Sequence, residues 1–479
     1  MKNVLLRFLP WCGAWLFVLL LGSACTPSLP QHPDQLTYPP LEFHLPQVDQ
    51  QVLDNGLRLY SKTDRELPLV QITALVGAGA ITTPREKSGF ASLFGATWRT
   101  GGAGARSAAE LDAFLDQLAA NLTTNLGPYT AQLDLSLRAD DLAQGIALLA
   151  DLLRRPGFDG TRLELARLQA QEQVRRQNDN PQAIARRLLM AALYPDHYLG
   201  YTPTFASLAA ITREDLVAFH QRYFAPNTLW LAVSGDFDRD TLVALLEQYF
   251  GDWASRPVPE QPVPSVVRPD AGTIRVVQKA LPQTTILIGD LGLTKDDPDQ
   301  YAVRVFNYIL GGGGFNSRMM REIRSDRGLA YSAYSYFQVG RRLPGPFVAG
   351  TETKSESVVP VLLLTRQIMT DLRDHRVTED EINLAKESQI NSFVFGFEDT
   401  HAVVSRQMTQ DFFGYPKDYL ETFRDRIAAV TAADILRVAR EYVDLSRQQV
   451  VLVGDVNAYR TGLDATGLPV VEVDPQIDP

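Results

Sequence analysis

Histidine and cysteine are both scarce in this 479-residue chain, six of one and two of the other. His32, His44, His197, His220, His375 and His401 are never three or four apart, so no helix can offer two of them to one metal ion. Cys12 lies inside an N-terminal apolar run and Cys25 directly after it. Removal of that run leaves one cysteine, which excludes an internal disulfide. No G-x-S-x-G elbow is present, so the usual serine-hydrolase signature is absent as well. Positive charge is in short supply: 46 Lys and Arg stand against 56 Asp and Glu, a formal net charge of −10. Without the first 24 residues, which hold Lys2 and Arg7, 44 basic residues face 56 acidic ones and the charge is −12. That balance disfavours a surface for nucleic acid or anionic membrane. Two glycine runs fail as nucleotide loops. After Gly77 and Gly79 the third glycine place holds Thr82 and Pro84 follows, and Gly311 to Gly314 lacks the Lys-Ser/Thr of a phosphate loop.

What is present begins with MKNVLLRFLPWCGAWLFVLLLGSAC, two basic residues before an apolar run that ends in Gly22, Ser23 and Ala24. This reads as a secretion signal over 1–24. Small residues ending at a cysteine resemble the bacterial lipobox, with Gly22 where leucine is usual. The resemblance implies cleavage before Cys25 and a lipid on its sulfur, hence membrane attachment on the periplasmic side of the envelope. An uncleaved anchor and a plain signal peptide remain as alternatives. Thr26 after Cys25 resembles the outer-membrane-directed form of the signal. Residues 25–47, rich in Pro, Gln and His, read as an extended tether.

A second proline-rich stretch, RPVPEQPVPSVVRP, marks a linker at 256–270 between halves of about equal length, 48–255 and 271–465, with a tail at 466–479. The halves repeat. ITREDLVAFHQRYFAPNTLWLAVSGDFD from Ile211 and VTAADILRVAREYVDLSRQQVVLVGDVN from Val430 align without gaps 219 residues apart. Thr212 meets Thr431, Asp215 meets Asp434, Tyr223 meets Tyr442, and Gly235-Asp236 meets Gly454-Asp455. Each copy predicts a Thr-capped helix followed by an apolar strand. Strands and long amphipathic helices in mixed order, with few parallel-crossover units, predict an α+β fold. Two homologous domains each hold a mixed, mainly antiparallel sheet with helices packed on one face.

The order of segments over residues 48 to 460 resembles the pitrilysin/insulinase family of zinc metallopeptidases, in the subfamily of mitochondrial processing peptidase. GAGAITTPREKSGFASLF, RSAAELDAFLDQLAANL, QVRRQNDNPQ and GGGGFNSRMMREIRSDRGLAYS carry it. It implies the processing-peptidase/LuxS-like metallohydrolase fold. In catalytic members the helix after Gly-Phe/Leu-Ala carries His-x-x-Glu-His, two histidines on one face gripping zinc and a glutamate taking the proton of the metal-bound water. Counted from Gly89, those places hold Ser92, Gly95 and Ala96. The place of the third ligand falls on Gln173, beside Glu172. Ser92, Gly95 and Ala96 can neither bind zinc nor act as base, and the neutral Gln173 amide is a poor zinc ligand. No cofactor is therefore expected on this chain, and the resemblance puts zinc on a partner.

IRSDRGLAY sets Arg324 and Tyr331 seven apart, as the family's substrate-holding Arg/Tyr pair is set, with Arg327 and Tyr334 as possible substitutes. Just before it, Gly311, Gly312, Gly313 and Gly314 resemble the glycine-rich loop at the substrate entrance of the non-catalytic processing-peptidase subunit. The family builds its chamber from four such domains and this chain encodes two. The resemblance therefore implies a dimer with a homologous zinc-bearing chain of similar size, acting on peptides. The runner-up is a non-enzymatic binding or scaffold lipoprotein that keeps the fold but has left proteolysis, as the core subunits of the respiratory bc1 complex resemble peptidases without acting as such.

Overall fold

Among the described residues, twelve strands sort into two sheets, one from each half of the sequence. The computed structural model describes residues 44–475, so the expected signal, Cys25 and most of the tether lie outside the described residues. The first sheet contains β1 (Asp49–Val52), β2 (Arg58–Thr63), β3 (Leu69–Val76), β4 (Asn121–Leu126), β5 (Ala131–Arg138) and β6 (Leu229–Gly235), in the order β1-β2-β6-β3-β5-β4. The second contains β7 (Thr273–Gln278), β8 (Gln283–Leu291), β9 (Ala330–Phe337), β10 (Pro346–Lys354), β11 (Gln449–Gly454) and β12 (Val470–Glu472), in the order β12-β7-β11-β8-β10-β9. In the first sheet only β2 with β6 is parallel. In the second, β7 runs parallel to β11 and to β12, and the other pairings are antiparallel. The residues after Leu468 thus add an edge strand.

The helices are α1 (Phe90–Thr100), α2 (Ala108–Gln117), α3 (Leu142–Arg154), α4 (Gly160–Arg176), α5 (Pro181–Leu193), α6 (Phe205–Ala209), α7 (Arg213–Tyr223) and α8 (Arg239–Phe250) in the first half. The second half has α9 (Gln300–Asn307), α10 (Val358–Asp374), α11 (Glu379–Phe393), α12 (Thr400–Phe412), α13 (Tyr419–Ala428) and α14 (Ala432–Tyr442). A shift of 219 carries α5 onto α12 and α7 onto α14, end for end. The repeated threonines are helix caps. Thr212 accepts from the backbone N–H of Asp215 and Thr431 from that of Asp434, and each aspartate carboxylate accepts in turn from the threonine N–H. The α+β architecture expected from the sequence is therefore present twice.

Most helices cover one face of each sheet, over a core that includes Leu59, Ile72, Leu133 and Leu231 in the first half and Ile274, Ile286, Ala349 and Leu452 in the second. The alternate strand residues point to the other face, and there the halves trade elements. From the first half, α5 lays Ile184, Leu188 and Leu189 on Leu287, Val451 and Val453 of the second sheet. From the second half, α12 lays Val404 and Met408 on Tyr60, Leu75 and Ala232 of the first. Gly289 lets Leu189 settle on the sheet, since a Cβ there would stand 3.0 Å from its methyl groups. Each such buried aliphatic side chain contributes roughly 1.5–3 kcal/mol.

The proline-rich linker is tied to both halves. The Gln261 amide donates to the carbonyl of Gly79 and accepts from its N–H, both at 2.7 Å. Arg268 forks onto the buried Asp290 at 3.1 and 2.7 Å. No described helix is long and apolar enough to cross a membrane.

Candidate functional site

Helix α1 occupies the place the sequence reading gives to a zinc helix. Gly89 opens it at φ 99°, and a Cβ there would meet Leu208 at 2.5 Å. One face is anchored by Phe90, Phe94 and Trp98, four apart. Phe94 packs 5.2 Å from Phe158 and 5.1 Å from Phe219, ring centre to ring centre, and the Trp98 indole donates to the Leu152 carbonyl at 2.8 Å. The opposite face presents Ser92 and Ala96 to solvent, also four apart. The Ser92 hydroxyl turns back onto the Gly89 carbonyl at 3.0 Å. Gly95 is buried between them, its carbonyl accepting from Thr124 of β4 at 2.6 Å. The face is formed and holds no ligand for zinc.

Gln173 is exposed on α4. Glu172 beside it pairs with Arg175 and, at 2.7 Å, with Arg176, whose hydrogen bond holds the carboxyl below its usual range. Among the described residues no group of three His, Cys, Asp or Glu is placed to hold a metal. Zinc does not fit the residues present at these positions.

The histidines have other occupations. His220 bonds the Leu153 carbonyl at 2.9 Å, and burial pushes its pKa down to about 4. Both ring nitrogens of His401 lie 2.9 Å from hydroxyls of the first sheet, Thr73 and Ser234, and so help dock α12. His197 is buried and His375 exposed.

Arg324 and Tyr331 are together. Arg324 sits on a widened helical turn, Met320–Ser325, that inserts Ile323 into the core. Its guanidinium lies 4.6 Å from the centre of the Tyr331 ring and 4.7 Å from that of Phe315, with no carboxylate paired to it among the described residues. Tyr331 is 80% exposed and Phe315 65%. A positive fork held between two aromatic faces is preorganised and keeps its in-plane N–H edges free.

Tyr331 owes its position to β9. Among the described residues this strand is the sheet edge and pairs only with β10, and their register slips between Thr351 and Thr353. The irregularity throws Tyr331 outward while Ala333 and Ser335 stay buried. Tyr334 stacks with Tyr336 at 6.4 Å, and Arg327 is taken up by Glu322 at 3.6 Å.

The glycine run is packed more tightly than an open loop. A Cβ on Gly311 would meet the Ser335 backbone at 2.4 Å, one on Gly312 the Asn307 amide at 2.4 Å, and one on Gly313 the Tyr308 ring at 2.7 Å. Only Gly314, at φ 56°, faces open space. Gly311 therefore seats the helical turn on β9, Gly312 and Gly313 pack back against Asn307 and Tyr308, and Gly314 turns the chain so that Phe315 lands beside Arg324. Phe315 is the member of this cluster that sequence reasoning left out. Its signal was its place, directly after the glycines.

Residues 58–203 match the family described as insulinase (peptidase family M16), and residues 210–389 match the peptidase M16 inactive domain. A protein of Streptomyces coelicolor named an uncharacterized zinc protease is 27% identical over 408 residues, covering 82% of this chain and 87% of its own. A Helicobacter pylori protein named a non-peptidase homolog is 23% identical over 388 residues, 79% of this chain and 88% of that one. Among solved structures, a peptidase M16 inactive domain from Pseudomonas fluorescens superposes with a TM-score of 0.76 at 24% identity, covering 85% of this chain and 98% of that one. The periplasmic protease PqqL of Escherichia coli gives 0.72 at 14% identity, covering 91% of this chain and 50% of that one.

Proposed function

This chain belongs to the M16, or insulinase, family of peptidases, and on that premise we propose that it is the non-catalytic, substrate-holding subunit of a heterodimeric zinc metallopeptidase at the bacterial envelope. The observation that carries the reading is an asymmetry within the chain. The helix that would hold zinc presents Ser92 and Ala96, while Arg324 and Tyr331 stand together on an open sheet edge. A partner with the opposite endowment completes the site. Arg324 then grips a carbonyl of an extended peptide, and the Tyr331 hydroxyl stabilises charge developing on the carbonyl that the partner attacks. The described fold spans half of PqqL, which supports a working unit of two such chains. The N-terminal signal and a periplasmic neighbour support the location, with Cys25 as the lipid anchor and the outer membrane as its destination.

The test is reconstitution of the purified chain with a zinc-bearing relative from the same envelope. Arg324→Ala and Tyr331→Phe should each lower kcat/KM of the mixture by about 10- to 100-fold while leaving assembly intact. Unchanged activity in both variants would sink the substrate-holding role.

The name of the Helicobacter pylori relative favours a second reading, a scaffold lipoprotein that has left proteolysis. Pull-down from the native envelope separates the two. A similar-sized partner that brings zinc and peptidase activity supports the subunit, and a metal-free, inactive eluate supports the scaffold.

A further inference from the structure

Arginine is mostly spoken for in this protein, by carboxylates or by carbonyls. Three arginines of the second half break that habit together. Arg304 on α9, Arg341 after β9 and Arg406 on α12 line one recess of about 570 Å³, and none of the residues lining it is acidic. Among the described residues none of the three pairs with a carboxylate or donates a hydrogen bond. Each is instead laid on an aromatic ring: Arg304 is 5.7 Å from the centre of Phe423, Arg341 4.4 Å from Phe413 and Arg406 4.6 Å from Phe397. Stacking fixes the plane of a guanidinium and leaves its N–H edge to find a partner in that plane.

Two further observations mark the recess as built. Nε of Arg304 is buried without a hydrogen-bond partner, an uncommon state for a charged donor. Gly396 makes room for Arg406, since a Cβ there would stand 2.4 Å from its Nη2. Arg304 and Arg341 also act on the same hydroxyl, that of Tyr415, which burial pushes up and both cations pull down. Both cations thus lie within electrostatic reach of one hydroxyl at the recess, which Asp296, outside the lining, also reaches. Ser405 and Thr409, one helical turn apart, add hydroxyls to the lining, that of Ser405 also 3.2 Å from His401 Nε2.

We infer that this recess binds a small oxyanion carrying two or more negative charges, of phosphate or polycarboxylate type. A single carboxylate would be over-matched by three guanidinium groups, and the volume suits a small molecule. Selection against anions elsewhere is supplied by the chain itself, whose net charge is −10.

The test is calorimetric titration of the full-length chain at low ionic strength with pyrophosphate and, separately, with citrate. Saturable binding of at least one, weakened at least tenfold by Arg304→Gln and severalfold by the exposed Arg341→Gln, is the expected result. Pyrophosphate alone would identify a phosphate ligand, and citrate alone a polycarboxylate. Should Arg304→Gln fail to fold, Arg341→Gln and Gly396→Ala decide, the latter by displacing the Arg406 guanidinium. No saturable binding of either probe by the wild type, or undiminished binding in the folded variants, would overturn the assignment.

Discussion

Arg318 and Arg324 stand six residues apart in the segment after the glycine run and do opposite things. Arg318 closes a fork on Glu381 at 2.8 and 2.8 Å, both side chains largely buried. Burial alone would raise the Glu381 carboxyl, but the Arg318 fork and the Thr378 backbone N–H outweigh it and hold the pKa at about 2. The pair pins the turn to α11, so that Arg324 can stand unpaired on a rigid base. Glu381→Gln leaves the Arg318 cation without its counter-charge and should cost about 3–5 kcal/mol in urea unfolding. Acid acts on the same pair. A depressed folded pKa means stability that is present above the unfolded value near 4.5 and lost as pH falls toward 2. His220 opens the loss earlier. Its folded pKa of about 4 lies below the unfolded 6.5, so between those values the unfolded chain takes up a proton that the folded one refuses. Stability should fall by up to about 3 kcal/mol across that window from this residue. Urea midpoints at pH 7 and pH 5 check it, with His220→Gln expected to flatten the difference.

The repeated elements were legible because their signals are local. Thr212 and Thr431 announce their caps three residues ahead of an aspartate, and the Gly-Asp pairs end β6 and β11 where the apolar runs stop. The Arg324–Tyr331 pair was legible through the family resemblance, and the two meet because a turn leads directly into a strand. What escaped the sequence depends on partners far along the chain. The apolar positions of α5 state that one face is buried and say nothing of the sheet that buries it. The slipped register that expels Tyr331 needs β10 beside β9, and Phe315 counts only once Arg324 lies against it. The three arginines around the recess come from distant stretches, and no motif joins them. The borrowed helices can be tested as elements. Leu189→Ala on α5 and Met408→Ala on α12 each remove a fully buried side chain from the contact between halves and should cost about 2–5 kcal/mol by urea unfolding.

For the whole molecule the trade of α5 and α12 means that neither sheet has both faces covered by its own half. The two halves should therefore unfold together, as one calorimetric transition with equal van't Hoff and measured enthalpies, despite a chain long enough for two independent domains. Residues 48–255 expressed alone carry α5 with its apolar face bare and a first sheet missing its cover, and should aggregate or remain partly open. Two separated transitions would contradict this coupling. The same trade sets a timetable for synthesis. The first sheet cannot be closed until Phe412, the last residue of α12, has left the ribosome, long after the sheet's own last strand, β6, has ended at Gly235. For most of its translation the N-terminal half is an unfinished domain, held back from tight closure by a helix not yet in existence.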